Sequence, residues 1–170
     1  MVIWVVGLAG VGKTTLATSI ANSIKNTERN TVLIDGDVVR KIFNFENKGD
    51  YSVSGRLQNA QRIQQICKLL DDQDINVVCG ILSIFEEHRE ENRSLFSKYC
   101  EIYLKADFDD LKRRRPIYQK ALDHEIENVV GVDIPFKEPT RSDLTIDTSK
   151  VNEAEALITS LELISKLKGY

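Results

Sequence analysis

Residues 7–14, "GLAGVGKT", decide the fold. They match G-x-x-x-x-G-K-[ST], a loop whose glycines let backbone amides turn inward around phosphate oxygens. Such a loop has to sit between a strand and a helix. Val2–Val6, immediately before it, is an apolar run with strand character. Lys13–Lys25, immediately after, places Leu16, Ala17, Ile20 and Ile24 on one side at helical spacing. In this setting Gly7, Leu8, Ala9, Gly10, Val11, Gly12 and Thr15 surround a polyphosphate, and the helix N-terminus adds a favourable dipole. Lys13 is placed to reach the β- and γ-phosphates and the Thr14 hydroxyl to ligate Mg²⁺, so ATP and Mg²⁺ are the expected cofactors. Binding alone does not establish catalysis, and a nucleotide-binding regulator stays open on these residues.

Outward from the loop, apolar runs alternate with helix-period segments. Strands are expected at Val2–Val6, Val32–Ile34, Ile75–Leu82, Glu101–Lys105 and Leu144–Ile146. Helices are expected at Lys13–Lys25, Arg56–Leu70, near Phe85–Lys98, over Asp109–Arg114 and at Glu153–Leu167. Alternation of this kind gives an α/β fold with a parallel sheet of about five strands wrapped on both faces. The continuously apolar strands agree, because parallel strands are buried on both sides. Residues 1–170 read as a single domain. Two stretches break the alternation, 45–55 and 115–140, and are expected to be irregular binding loops or lids.

Bulk properties narrow the function. Net charge is 23 − 26 = −3, so no broad nucleic-acid-binding surface is expected. No apolar run approaches the length of a membrane span. The apolar N-terminus lacks a basic leader and a small-residue cleavage site, and reads as a buried first strand instead of a signal peptide. Cys67, Cys79 and Cys100 are odd in number and match no metal or redox spacing. They are expected as buried free thiols in a reducing cytoplasm. His88 and His124 lie among charged residues and are expected to be solvated.

The stretch "LIDGDVVR", residues 33–40, puts two carboxylates, Asp35 and Asp37, at the end of the second strand. Ligands of open α/β sheets bind along that edge. A carboxylate there holds Mg²⁺, accepts the proton of an acceptor hydroxyl, or simply caps the helix that follows. In the helix from Arg56, Leu57, Ala60, Ile63, Ile66, Cys67 and Leu70 form one apolar arc, with Arg56 and Asn59 inside it and Arg62 at its edge. An arginine facing the core needs an anion. That anion is either a ligand or Asp35 or Asp37. Tyr51, in the loop before, is placed to stack on a base.

With these residues in view the sequence resembles the adenylyl-sulfate (APS) kinase family over about residues 3–148. The resemblance rests on "GLAGVGKTTLA", "LIDGDVVR", "YSVSGRLQNAQR", "GILSIF", "EIYLKADFDDLKRR", "IYQKAL" and "GVDIPFKEPTRSDLTIDT". It implies a P-loop kinase fold with a lid at about 115–140, and transfer of the ATP γ-phosphate to a ribose 3′-hydroxyl. The acceptor would be a nucleotide whose 5′-phosphate carries a second anionic group. Asp37 matches the carboxylate beside that hydroxyl, which makes Asp37 and Lys13 the implied catalytic pair. Arg40, Arg56 and Asn59 match residues that hold the acceptor's 5′ anion and sugar. Tyr51 matches a base-stacking Phe, Ser83 a serine near the acceptor, and Lys120 falls in the matching acceptor-side segment.

Two departures stand out. Arg115 replaces a lid Lys, keeping the charge but exchanging a point donor for a planar fork. Val129 stands where the family has a second stacking Phe, which leaves a one-sided platform. A branch of the family acts in bacterial capsule synthesis and phosphorylates cytidine diphosphoramidate, and the altered clamp fits that pyrimidine acceptor better than adenylyl sulfate. Adenylyl sulfate is the alternative acceptor. The resemblance also implies a homodimer, and small-molecule nucleotides as the only other partners. A kinase of a small metabolite such as gluconate or shikimate fits less well, because of "GVDIPFKEP".

Overall fold

The computed structural model describes residues 1–43 and 50–169; residues 45–49 of the expected irregular stretch 45–55 lie outside the described residues. The order is β1 (Val2–Val6), α1 (Lys13–Lys25), β2 (Thr31–Asp35), α2 (Gly36–Phe43), α3 (Val53–Asp71), β3 (Asn76–Ile81), α4 (Glu86–Leu95), β4 (Tyr99–Lys105), α5 (Phe108–Arg114), α6 (Ile117–Leu122), β5 (Leu144–Asp147) and α7 (Glu153–Lys168). The strands form one sheet in the order β2-β3-β1-β4-β5. Every pairing is parallel, as expected. Among the described residues no helix is long and apolar enough to cross a membrane.

β1 is central because all five of its residues are apolar and buried, which only a strand covered on both faces tolerates. Its side chains alternate. Ile3 and Val5 enter a core with Ile20 of α1 and Ala156 and Ile164 of α7. Val2, Trp4 and Val6 enter the opposite core, with Ile63 and Cys67 of α3 and Phe96. The carboxyl ends of β1, β3 and β2 therefore open side by side, and the loops leaving them carry the chemistry.

Two helices lie outside the expected ranges, α2 being anticipated only by the reading of Asp35 as a helix cap. α2 begins directly at the end of β2, because Asp35 Oδ1 accepts the backbone N–H groups of Asp37 at 2.9 Å and Val38 at 3.3 Å. The last strand residue is thus itself the cap. α6 lies inside the stretch expected to be irregular. Pro116 starts it, where a missing N–H costs nothing, and Tyr118 and Ala121 are buried beneath it. The three cysteines are free and buried. His124 is exposed, but His88 corrects the expectation for it. It is half-buried against Phe85, with ring centroids 5.7 Å apart, and its Nδ1 is enclosed without a partner among the described residues.

Gly7 marks where β1 becomes the phosphate loop. Its φ is 146°, and a Cβ there would run into the carbonyl oxygen of Leu104 on β4. Since backbone cannot give way as a side-chain tip does, Gly7→Ala is expected to lower the unfolding free energy by about 2 kcal/mol or more. Chemical denaturation checks this, and an unchanged midpoint would contradict it.

Candidate active site

The loop between β1 and α1 turns through Gly10 (φ 81°) and Gly12 (φ 99°), conformations that cost glycine little. The turn brings the Lys13 ammonium back over the loop, where Nζ donates to the Leu8 carbonyl at 2.8 Å. Desolvation pulls the Lys13 pKa from 10.5 down to about 8; Asp37 and Asp35 oppose that pull and Arg115 adds to it. Thr14 Oγ1 donates to Asp35 Oδ2 at 3.1 Å. Asp35 therefore does two things at once. One oxygen caps α2 and the other holds the loop's threonine. Asp37, one residue into α2, is exposed toward the same edge.

A cleft of about 450 Å³ continues from the loop between Gly10, Gly12, Thr15, Arg114, Thr148 and Val151. It adjoins the phosphate loop and has the size of a nucleoside pocket. Arg114 closes one wall by donating to both Thr148 Oγ1 and the Thr148 carbonyl, each at 3.2 Å. Arg114 lies in the basic run from Lys112 to Arg115, but its pairing with Thr148 had no sequence signal, because the two are 34 positions apart.

Arg115 lies across Gly10, where an added Cβ would meet its Cγ at 2.6 Å. Tyr118 is fully buried, packs edge-on to Phe108 at 5.2 Å, and donates its hydroxyl to the Ala9 carbonyl at 2.8 Å. Burial pushes that phenol up to about 12, so it stays a donor. The start of the expected lid is therefore a brace docked on the phosphate loop.

On the other side of Asp37, a second set of polar groups converges. Arg40 is 7% exposed. Its guanidinium donates to the Asp50 carbonyl and lies 4.6 Å from the Tyr51 ring centroid. Arg56 donates from Nε to the Tyr51 carbonyl at 2.9 Å and from Nη2 to the Asn128 carbonyl at 2.8 Å. Its charge is 5.5 Å from the same ring. Burial and the neighbouring Arg40 lower the Arg56 pKa. Asn59 donates to the Gly36 carbonyl at 3.1 Å.

Among the described residues neither Arg40 nor Arg56 pairs with a carboxylate. The internal salt bridge to Asp35 or Asp37 is thus not formed. Among the described residues Arg40 Nε and Asn59 Oδ1 are buried without partners, a costly state that a ligand would relieve. Arg40, Arg56 and Asn59 line a small cleft of about 40 Å³ together with Ser83, so the sequence-predicted cluster does come together.

Two predicted residues do not join it. Val129 is 5% exposed and packed in the core. The Asp133 carboxylate accepts its amide at 2.6 Å as well as that of Asn128, closing a turn that carries Val129 inward. Lys120 is exposed on α6 and does not line the cleft.

Comparison with known proteins bears on family and fold. The family model described as adenylylsulphate kinase matches residues 1–147. A cytidine diphosphoramidate kinase of Campylobacter jejuni subsp. jejuni serotype O:2 is 38% identical over 97% of this chain and 94% of the relative. An adenylyl-sulfate kinase of Pseudomonas entomophila is 35% identical over 92% of this chain and 77% of that protein. The Mycobacterium tuberculosis APS kinase CysC, solved in complex with AMPPNP and APS, superposes with a TM-score of 0.86 at 25% identity, over 96% of each chain. The chain therefore belongs to the adenylyl-sulfate kinase family and is a kinase with the five-stranded parallel P-loop fold.

Proposed function

We propose that this kinase transfers the γ-phosphate of ATP to the ribose 3′-hydroxyl of cytidine diphosphoramidate, in capsular polysaccharide synthesis. The observation that carries the reading is the base site. Tyr51 offers an aromatic face beside two arginines, while Val129, at the position of the second aromatic jaw, is packed in the core. A one-sided platform rewards a large purine less than a pyrimidine. The likeness to the Campylobacter kinase supports the same choice. Adenylyl sulfate is the second reading, favoured by the Pseudomonas relative. The cytoplasm and a homodimer go with either acceptor.

In this mechanism Arg40 and Arg56 leave the Tyr51 ring and backbone carbonyls for the acceptor's 5′ anion, which frees the ring to stack on the base. Asp37 takes the proton from the 3′-hydroxyl as its oxygen bonds to the γ-phosphorus and the bond to the β-phosphate oxygen breaks. Lys13 and Arg115 stabilise the charge on the transferred group. The oxygen donors at the loop suit Mg²⁺, with Thr14 as ligand and Asp35 holding Thr14. When bound, the ion neutralises the β- and γ-phosphate oxygens. Ser83 belongs to the acceptor side of this reading; Val129 bears on it only through the turn it anchors, and Lys120, exposed on α6, is left out of it.

A coupled ADP-release assay is expected to give a higher kcat/KM for cytidine diphosphoramidate than for adenylyl sulfate; the reverse order selects the second reading. Tyr51→Leu is expected to lower acceptor kcat/KM by about 10-fold or more, the scale of one base–aromatic stack, with the ATP KM unchanged. Asp37→Asn is expected to reduce kcat by roughly 10²-fold while ATP still binds. Retained kcat with weakened Mg²⁺ dependence would move Asp37 to a metal role.

Lys13 gives a stability test of opposite sign. Its folded pKa of about 8 lies below the ordinary 10.5, so the unfolded chain binds more protons between those values. Stability of the unliganded protein therefore rises with pH across that window. Below it, the buried ammonium costs the fold about 3 kcal/mol. Lys13→Met is expected to abolish turnover yet raise unliganded stability at pH 7 and flatten the rise above pH 8. Lower stability in that variant would contradict the buried-charge account.

A further inference from the structure

We propose that Arg89 and Trp4 are positioning residues that clamp Ser83, so that its hydroxyl proton points into the acceptor cleft. Ser83 lies just past the carboxyl end of β3 with φ 54°, a left-handed conformation that a side chain makes unfavourable. Two buried donors from different elements hold it there. Arg89 of α4 donates from Nη1 to the Ser83 carbonyl at 2.6 Å, and Trp4 of β1 donates its indole N–H to Ser83 Oγ at 3.2 Å. Trp4 engages the hydroxyl oxygen as acceptor and so leaves the O–H free to donate elsewhere. Ser83 itself lines the cleft with Arg40, Arg56 and Asn59.

Arg89 is not there for a surface role. It is 3% exposed, and burying a guanidinium is unfavourable unless its donors are used. Its Nε lies 3.8 Å from Glu101 Oε1 on β4. Glu101 in turn accepts the Tyr99 hydroxyl at 2.9 Å, and its backbone N–H is held by Asp143 at 2.7 Å. The clamp is thus anchored to the sheet through Nε, while Nη1 is directed at one carbonyl. Loosening either hold lets Ser83 relax out of the left-handed region and turns the hydroxyl away from the cleft. The clamp rests on the reading of that cleft as the acceptor site.

The test uses Arg89→Lys, Arg89→Ala with and without millimolar methylguanidinium, and Trp4→Phe, which keeps an aromatic ring but removes the N–H. With whichever of cytidine diphosphoramidate or adenylyl sulfate the parent enzyme uses, each variant is expected to raise the acceptor KM about 10-fold. The ATP KM should change less than twofold, and methylguanidinium should restore Arg89→Ala. ATP and acceptor KM rising together, or neither rising, would overturn the clamp. If the Arg89 variants do not fold, Trp4→Phe decides it by the same split. Trp4 is the one tryptophan of the chain, so its emission reports on Ser83 without any turnover. A shift in ligand-free Arg89→Lys supports the clamp, and an unmoved emission contradicts it. Should the parent use neither acceptor, the proposed function fails while the emission still judges the clamp.

Discussion

The enclosed ammonium of Lys13 is the constraint around which the carboxyl edge of the sheet is arranged. The loop that presents phosphate-binding amides also wraps the lysine, and desolvation drives its pKa down to about 8. Nearby carboxylates work against that loss of charge. Asp35 and Asp37 supply the opposing field from the end of β2. This explains why a phosphate-binding protein places negative charge beside its own phosphate site. The two carboxylates favour the charged form of the lysine, and one of them also grips Thr14. α2 is a consequence of the same placement, since the Asp35 oxygen not bound to Thr14 caps that helix.

The cleft proposed for the acceptor shows the reverse imbalance. Arg40 and Arg56 are buried or half-buried close to one another, with backbone carbonyls and the Tyr51 ring as their partners. Carbonyls and ring quadrupoles stabilise a guanidinium less than an anion does. Together with Arg40 Nε and Asn59 Oδ1, unpartnered among the described residues, this leaves the cleft, as far as the described residues line it, short of negative charge and of a hydrogen-bond donor. A nucleotide with an anionic 5′ tail and a sugar hydroxyl has both. The contact from Arg56 to the Asn128 carbonyl also ties the 128–133 turn to the acceptor cleft, so filling the cleft and moving that turn are physically linked.

Much of this was legible in the sequence, for identifiable reasons. The phosphate loop is local, and its strand and helix flanks are strongly patterned. Arg56 and Asn59 were legible because polar groups on an apolar arc violate a simple expectation. Asp35 was only half legible, since one carboxylate performs two tasks and composition cannot apportion them. α2 was legible only through the reading of Asp35 as a cap, because Asp-Gly-Asp otherwise reads as a turn. The brace from Tyr118 to Ala9 spans 109 positions and has no local signature. Val129 was placed by analogy with an aromatic residue at a cleft wall, yet an aliphatic side chain with an apolar core within reach is stabilised by entering it.

The central claim is phosphoryl transfer to a ribose 3′-hydroxyl of a nucleotide carrying an anionic 5′ tail. Phosphorus NMR of the product formed from ATP, Mg²⁺ and cytidine diphosphoramidate tests it most directly, with coupling to the ribose protons locating the new ester. The account predicts a single new phosphomonoester on the 3′ oxygen, with the phosphoramidate tail intact and one ADP released per ester. A phosphate placed elsewhere on the acceptor, or ATP consumed to inorganic phosphate with the acceptor unchanged, would contradict it.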